Sequence, residues 1–81
     1  MNIIIYTKTG CPWGKQALDF LNAHSLAYQE KNMTENPDFM KECEEKTGQS
    51  KCPTIDIDGK ILADSDAKQT EEYLKEIGVL K

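Results

Sequence analysis

The chain of 81 residues lacks several features that would each define a class of protein. It has no arginine, and its ten lysines are outnumbered by fourteen acidic residues, which gives a formal net charge of -4. An acidic chain repels the phosphate backbone, so we do not expect nucleic acid as a general partner. No aliphatic run is longer than three residues, as in Ile3-Ile4-Ile5, which is far too short to cross a bilayer. A basic segment followed by a long apolar stretch is also missing, so the sequence predicts neither export nor a membrane partner.

Cysteine is scarce, and its count is odd: Cys11, Cys43 and Cys52. Small exported domains that are held by disulfides usually carry an even number. We therefore expect a reducing cytoplasm, in which thiols stay free. A Cys-x2-Cys pair is absent and the single His24 is distant in sequence from every cysteine, so no metal site is predicted. The cysteines are interpreted as reactive thiols, or as thiols without a role, rather than as structural bridges.

The first half of the chain predicts strand, helix and strand within one domain that spans residues 1–81. The apolar run over 2–7 is continuous rather than alternating, which is typical of a strand buried on both faces. A helix is predicted over about 12–24, because Pro12 suits a first helical turn and apolar residues follow at helical spacing. A second strand is predicted over 26–30. Strand, helix and strand in this order favour a parallel pair.

The second half predicts helix, hairpin and helix. Asn36 followed by proline predicts a helix start, and Gly48 predicts its end. Asp58-Gly59 predicts a hairpin turn between strands over 54–58 and 60–63. Ser65 or Asp66 would cap a last helix, whose inner stripe is Thr70, Tyr73, Leu74 and Ile77. The order β-α-β-α-β-β-α fits an α/β fold, with a four-stranded mixed sheet flanked by three helices.

Cys11 lies between the first predicted strand and the N-terminus of the first predicted helix. The thiolate is the nucleophile in disulfide exchange, and the N–H groups at a helix N-terminus stabilise a negative charge. Lys8, three residues earlier, adds a positive charge. We therefore predict that Cys11 is a catalytic nucleophile with a lowered pKa rather than a residue that only fills space.

The segment Lys8-Thr9-Gly10-Cys11-Pro12-Trp13-Gly14 resembles the active-site loop of the glutaredoxin family, whose common form is Cys-Pro-Tyr-Cys. Cys52-Pro53 resembles the Val-Pro of the family, in which the proline is cis, and Asp58-Gly59-Lys60 resembles its hairpin turn. Residues 63–66 fall where the family has Gly-Gly, then Cys or Ser, then Asp or Thr. The resemblance covers nearly the whole chain and implies a thioredoxin-like fold.

The resemblance implies a glutathione-dependent oxidoreductase of the monothiol kind, because Gly14 replaces the second active-site cysteine. Cys11 would attack glutathionylated proteins, and glutathione or another low-molecular-weight thiol would then release the adduct. Glutathione is thus the expected co-substrate, no bound cofactor is expected, and we expect a monomer. Some small members of the family carry selenocysteine at the nucleophile position, so the native residue at position 11 stays open.

The resemblance also implies a glutathione groove. The positions that would line it are Lys8, Pro12, Trp13, Lys51, Cys52, Pro53, Asp64, Ser65 and Asp66. Lys8 would meet the glycine carboxylate of the tripeptide, and the backbone of Cys52 would pair with its cysteine. Ser65 and Asp66 would hold the γ-glutamyl end. Asp64 stands where the family has glycine, and its bulk and charge predict weaker selectivity for glutathione.

Two alternatives to the monothiol mechanism remain. Cys52 could resolve the Cys11 adduct, with a thioredoxin-type reductase restoring the dithiol, or its side chain could pack into the core as a passive thiol. The chain could also be a noncatalytic thioredoxin-fold module that binds a partner peptide or an iron–sulfur cluster.

Other polar and thiol groups are given structural roles. Cys43 is expected to be a half-buried core thiol of the second helix, and His24 a cap at the end of the first. The acidic cluster of the second helix is expected to be a solvated face; it consists of Glu42, Glu44 and Glu45.

Overall fold

The structure is a computed structural model that describes residues 2–63 and 67–79. The elements in chain order are β1 (Ile3–Thr7), α1 (Pro12–Ala23), β2 (Gln29–Asn32), α2 (Pro37–Thr47), β3 (Thr54–Ile57), β4 (Lys60–Ala63) and α3 (Ala67–Glu76). The strands form one sheet in the order β2-β1-β3-β4. β1 is parallel to β2 and antiparallel to β3, and β3 is antiparallel to β4. The predicted element order and the mixed sheet are confirmed.

One face of the sheet carries an apolar cluster beneath α1 and α3. Alternate residues of β1 and β3 point to this face, since successive side chains of a strand point to opposite sides. Together with three helical side chains they form the apolar cluster: Ile3, Ile5, Ala17, Leu21, Ile55, Ile57 and Leu74. This cluster fixes α1, the helix that begins next to Cys11.

The opposite face is covered by α2 and mixes apolar with charged groups. Tyr6, Met33 and Cys43 are buried together there. Cys43 is 0% exposed, so the prediction of a half-buried thiol is wrong in degree. It lies deeper because its sulfur points away from solvent, 3.4 Å from the carbonyl oxygen of Gln49.

A hydrogen-bonded network surrounds the buried Tyr6. Its hydroxyl donates to the carboxylate of Glu42, which also accepts from Lys31 at 2.7 Å. Lys46 donates to the Tyr6 hydroxyl at 3.1 Å and to Asp56 at 2.8 Å. The prediction that Glu42 belongs to a solvated face is therefore wrong, because its carboxylate faces the sheet.

The second strand begins three residues later than predicted. The N–H of Leu26 still donates to the carbonyl of Leu21 at 2.9 Å, and Ser25 has a φ of 54°. The chain is thus still closing the end of α1 at residue 26, and pairing with β1 starts only where Ile4 faces Gln29. Leu26 packs against the apolar cluster, so its hydrophobicity reflects a helix end and not a strand.

The predicted element ends are mostly confirmed. The Asn36 side chain accepts from the N–H of Asp38 at 3.0 Å, and Gly48 closes α2 with a φ of 78°. Asp58 and Gly59 both have positive φ, as the predicted two-residue hairpin turn requires.

The ends of α1 and α3 agree with the sequence to different degrees. His24 is the C-cap residue of α1, as predicted. Ile77 lies beyond α3 and is 43% exposed, so its predicted place in the inner stripe is wrong. The predicted caps of α3, Ser65 and Asp66, lie outside the described residues. Within the described part of the chain, no helix combines the length and apolar character needed to cross a membrane.

Candidate active site

Cys11 is the N-cap residue of α1, as the sequence predicts. Its backbone is extended, Pro12 occupies the first helical turn, and its sulfur accepts a hydrogen bond from the N–H of Gly14 at 3.3 Å. The N–H of Cys11 donates to the carbonyl of Lys8 at 3.1 Å, which closes the turn between β1 and α1. The sulfur is therefore held at the positive end of the helix dipole, where a thiolate is stabilised.

Cys52 approaches Cys11 from the segment that precedes β3. The two residues form a disulfide, with their Cα atoms 6.7 Å apart and a sequence separation of 41. A Cα separation of roughly 4.4–6.8 Å is usual for disulfides. The side chain of Cys52 thus points toward Cys11 and does not pack into the core. Of the two orientations that the sequence left open for this side chain, the structure has the one that faces Cys11.

The start of β3 holds the Cys52 loop in place. The Cys52–Pro53 peptide bond is cis, and Pro53 is buried. The hydroxyl of the buried Thr54 donates to the carbonyl of Lys51 at 2.6 Å, and Thr54 pairs with Tyr6 of β1. The loop is therefore tied to the central strand of the sheet rather than hanging from the surface.

Gly14 lies directly against both sulfurs. A Cβ atom placed on this residue would be 2.7 Å from the sulfur of Cys52 and 3.5 Å from that of Cys11. The sequence presents Gly14 only as the loss of a second active-site cysteine, and its steric role was missed. The sequence indicates this role only through two differences from the family pattern, a glycine at position 14 and a cysteine at position 52.

The predicted glutathione positions are only partly described. Trp13 is 58% exposed near Cys11, Pro12 is exposed, and Lys8 is half-buried on the turn before Cys11. Lys51 lies on the exposed surface next to Cys52. The remaining three positions, Asp64, Ser65 and Asp66, lie outside the described residues. Over residues 2–63 and 67–79, no three His, Cys, Asp or Glu side chains are grouped so that they could hold a metal ion.

The fold and the paired cysteines define a thioredoxin-like protein with a thiol redox site. The glutaredoxin family model matches residues 3–62, and the chain belongs to the glutaredoxin family. The resemblance noted in the sequence is thereby confirmed. Membership of this family indicates thiol–disulfide oxidoreductase chemistry, in agreement with the position of Cys11 at a helix N-terminus.

Similar proteins agree with this assignment. A glutaredoxin-like 8.6 kDa protein of Clostridium pasteurianum, described as uncharacterized and encoded in a rubredoxin operon, is 25% identical over 90% of this chain and 97% of its own length. The thioredoxin-like protein BC3987 is 23% identical, with a TM-score of 0.80 over 86% of this chain and 96% of its own. The glutaredoxin of E. coli is 20% identical, with a TM-score of 0.68 over 96% and 98%. The two structures share the thioredoxin-like fold.

Proposed function

We propose that the protein is a thiol–disulfide oxidoreductase in which Cys11 is the nucleophile and Cys52 is the resolving thiol. The observation that carries this proposal is the disulfide that joins the two residues. The family supports the reaction class, and the N-cap position of Cys11 supports its role as the attacking group.

The reaction follows from thiol exchange in two steps. The Cys11 thiolate attacks one sulfur of a substrate disulfide, whose S–S bond breaks, and the first substrate thiolate leaves and takes a proton from solvent. The Cys52 thiol, after losing its proton to solvent, attacks the sulfur of Cys11 and expels the second substrate thiolate. The dithiol has then given two electrons to the substrate and has become the Cys11–Cys52 disulfide.

Recycling requires two electrons from outside the chain. A dithiol reductase or two molecules of a low-molecular-weight thiol would supply them by the same exchange, with Cys11 leaving as a thiolate. The N–H of Gly14 and the N-terminus of α1 stabilise that leaving group. The same stabilisation favours Cys11 over Cys52 as the thiolate that attacks a substrate disulfide, whereas an incoming reductant forms its bond to the sulfur of Cys52.

A second candidate is the monothiol mechanism with glutathione as co-substrate. It is favoured by the open rim of the site, where the exposed Trp13 and the half-buried Lys8 adjoin Cys11. In this mechanism Cys11 removes glutathione from glutathionylated proteins, and a second glutathione releases the adduct. The two candidates share the first step and differ only in the thiol that performs the second.

The mass of the reduced protein after reaction with glutathione disulfide distinguishes the two candidates. If Cys52 resolves, the wild-type protein loses two hydrogens and keeps no glutathione, whereas Cys52→Ser retains one glutathione on Cys11. Cys11→Ser should form neither product. Cys43→Ser is the matched control, because Cys43 is buried on the other face of the sheet, and it should behave as the wild type.

Three results would contradict the proposal. A wild-type protein that retains glutathione while Cys52 stays reduced would replace it by the monothiol mechanism. Turnover of disulfide substrates by Cys11→Ser would remove Cys11 from the chemistry altogether. A wild type with no turnover on any disulfide would favour the noncatalytic binding module.

A further inference from the structure

Gly14 has no side chain at the one point where the two cysteines meet. It is buried in the first turn of α1, and the atom nearest to a Cβ built on it is the sulfur of Cys52, at 2.7 Å. Carbon and sulfur atoms that are not bonded do not pack so closely, since ordinary contacts begin at about 3.5 Å. Any other residue at position 14 must therefore displace the sulfur of Cys52.

The backbone conformation at position 14 does not require a glycine. Gly10, Gly48, Gly59 and Gly78 have positive φ, a region that favours glycine, whereas Gly14 lies within a helix. Glycine inside a helix is less favourable than alanine, because it loses more conformational freedom on folding. The space that it leaves for Cys52 is thus the physical reason for its presence.

We propose that Gly14 is a positioning residue that selects Cys52 as the resolving thiol of Cys11. This inference rests on the function proposed above and adds the feature that makes it sterically feasible. In the common form of the family, a cysteine stands at this position and resolves from within the same helix. Here the sulfur of Cys52 fills the space that the first side-chain atom of such a cysteine would need, so the two arrangements exclude each other.

The steric restriction applies to one redox state more than to the other. In the disulfide, the sulfur of Cys52 is held in place by its bond to Cys11. In the dithiol, the same sulfur can rotate about χ1 to another staggered position. A methyl group at position 14 therefore disfavours the disulfide while leaving the dithiol nearly unaffected.

The first chemical step should be spared by the same substitution. Gly14 stabilises the sulfur of Cys11 through its backbone N–H, at 3.3 Å, and an alanine retains that group. Attack by Cys11 on a substrate disulfide should thus proceed at the wild-type rate. Only closure of the bond to Cys52 should slow, which separates a positioning role from a general loss of structure.

The test measures the two steps separately in Gly14→Ala. Reduced protein is mixed with glutathione disulfide, quenched with acid at intervals and analysed by intact mass, which counts the glutathione adduct and the disulfide. We expect unchanged adduct formation and closure that is slower by roughly tenfold or more, since a misplacement of about 1 Å in a reacting group costs up to about a hundredfold. Equilibration in glutathione buffers should favour the dithiol by about tenfold, a shift of about 30 mV to a more positive potential.

Three further variants make the test specific. Gln16→Ala, on the exposed side of the same helix, should leave both steps unchanged. In a Cys52→Ala background, Gly14→Ala should no longer affect any step, because the sulfur that it displaces is gone. Gly14→Cys combined with Cys52→Ala should form a disulfide between positions 11 and 14, and so show that the resolving thiol has moved.

The outcomes distinguish this inference from the proposed function. If the wild type forms the Cys11–Cys52 disulfide and Gly14→Ala closes it at the same rate, the role of Gly14 is refuted while the proposed function stands. If the wild type forms no such disulfide, both are refuted. If Gly14→Ala slows adduct formation as much as closure, it acts on the helix as a whole and the positioning role is refuted.

Discussion

The two faces of the sheet are held by different interactions, and the helix that begins next to Cys11 packs on only one of them. On the face of α1 and α3 the clustered buried side chains are apolar and carry no titratable group. On the face of α2 the buried Tyr6 is surrounded by charged groups that hydrogen-bond to one another. The helix that presents Cys11 is therefore fixed mainly by hydrophobic packing, while the network of charged groups around Tyr6 lies on the other side of the sheet.

The charges on the α2 face perturb one another, as a connected network should. The hydrogen bond to Asp56 is the largest reason why the pKa of Lys46 is raised well above its usual range. Burial raises the pKa of Tyr6. Hydrogen bonds from Lys31 and then from Tyr6 lower the pKa of Glu42. This face thus favours a particular set of protonation states, which the apolar face does not.

The largest expected loss of stability comes from the apolar face. Leu21→Ala should lower the free energy of unfolding of the reduced protein by about 2–5 kcal/mol, because it removes buried methyl groups and leaves a cavity. Leu21 is 0% exposed and lies in α1, so the variant also loosens the helix that Cys11 caps. Urea unfolding measures the loss, and Leu18→Ala, at the half-buried edge of the cluster, should lose less. A larger loss in Leu18→Ala would contradict this account of the core.

A smaller loss is expected from the polar face. Tyr6→Phe should cost about 1–3 kcal/mol, because Glu42 and Lys46 each lose a hydrogen-bond partner in a partly buried setting. The control is Tyr28→Phe, at the edge of the apolar cluster, which should cost less. Equal losses of stability in the two variants would mean that the network adds nothing to the stability of this face.

The smallest effect should be an acid dependence of the polar face. The pKa of Glu42 is lower in the folded chain than its ordinary value of 4.5, so its stabilising effect is complete above that value and disappears as the pH falls through the folded pKa. The effect should be at most about 1 kcal/mol, because the side chain is 39% exposed. Unfolding measured between pH 6 and about pH 3 should show less acid destabilisation in Glu42→Gln than in the wild type. The matched variant Glu45→Gln should retain the wild-type pH dependence. If Glu45→Gln also reduced the acid destabilisation, the effect would not be specific to Glu42.

Local signals explain how much of the fold could be predicted from the sequence. Pro12, Asn36, Gly48 and the Asp58-Gly59 turn each fix a boundary through the conformation of a single residue, and those boundaries are confirmed. The sequence predicts the start of the second strand three residues too early, because the hydrophobicity of Leu26 does not distinguish packing at a helix end from packing in a strand. The sequence does not reveal the hydrogen bond between Tyr6 and Glu42, because the two residues are 36 positions apart in the chain.

The site was predictable one residue at a time but not as a unit. The position of Cys11 follows from the strand and the helix on either side of it. The relation between Gly14 and Cys52 does not, because it depends on how the loop before β3 meets the first turn of α1. The sequence shows a missing thiol and an additional thiol as two separate departures from a family pattern. Only the packing shows that the two departures are connected, because the sulfur of Cys52 lies where a side chain at position 14 would begin.

The separation of 41 residues between the two cysteines links the redox state to the entropy of the unfolded chain. A bridge within one helical turn closes a loop of only a few residues, whereas this bridge encloses α1, β2 and α2. By loop-closure entropy alone, a loop of this size restricts the unfolded chain by about 4 kcal/mol, against less than about 2 kcal/mol for a bridge within one turn. Under the proposed function, the pair of electrons that the protein passes to a substrate thus also determines how readily half of the chain unfolds.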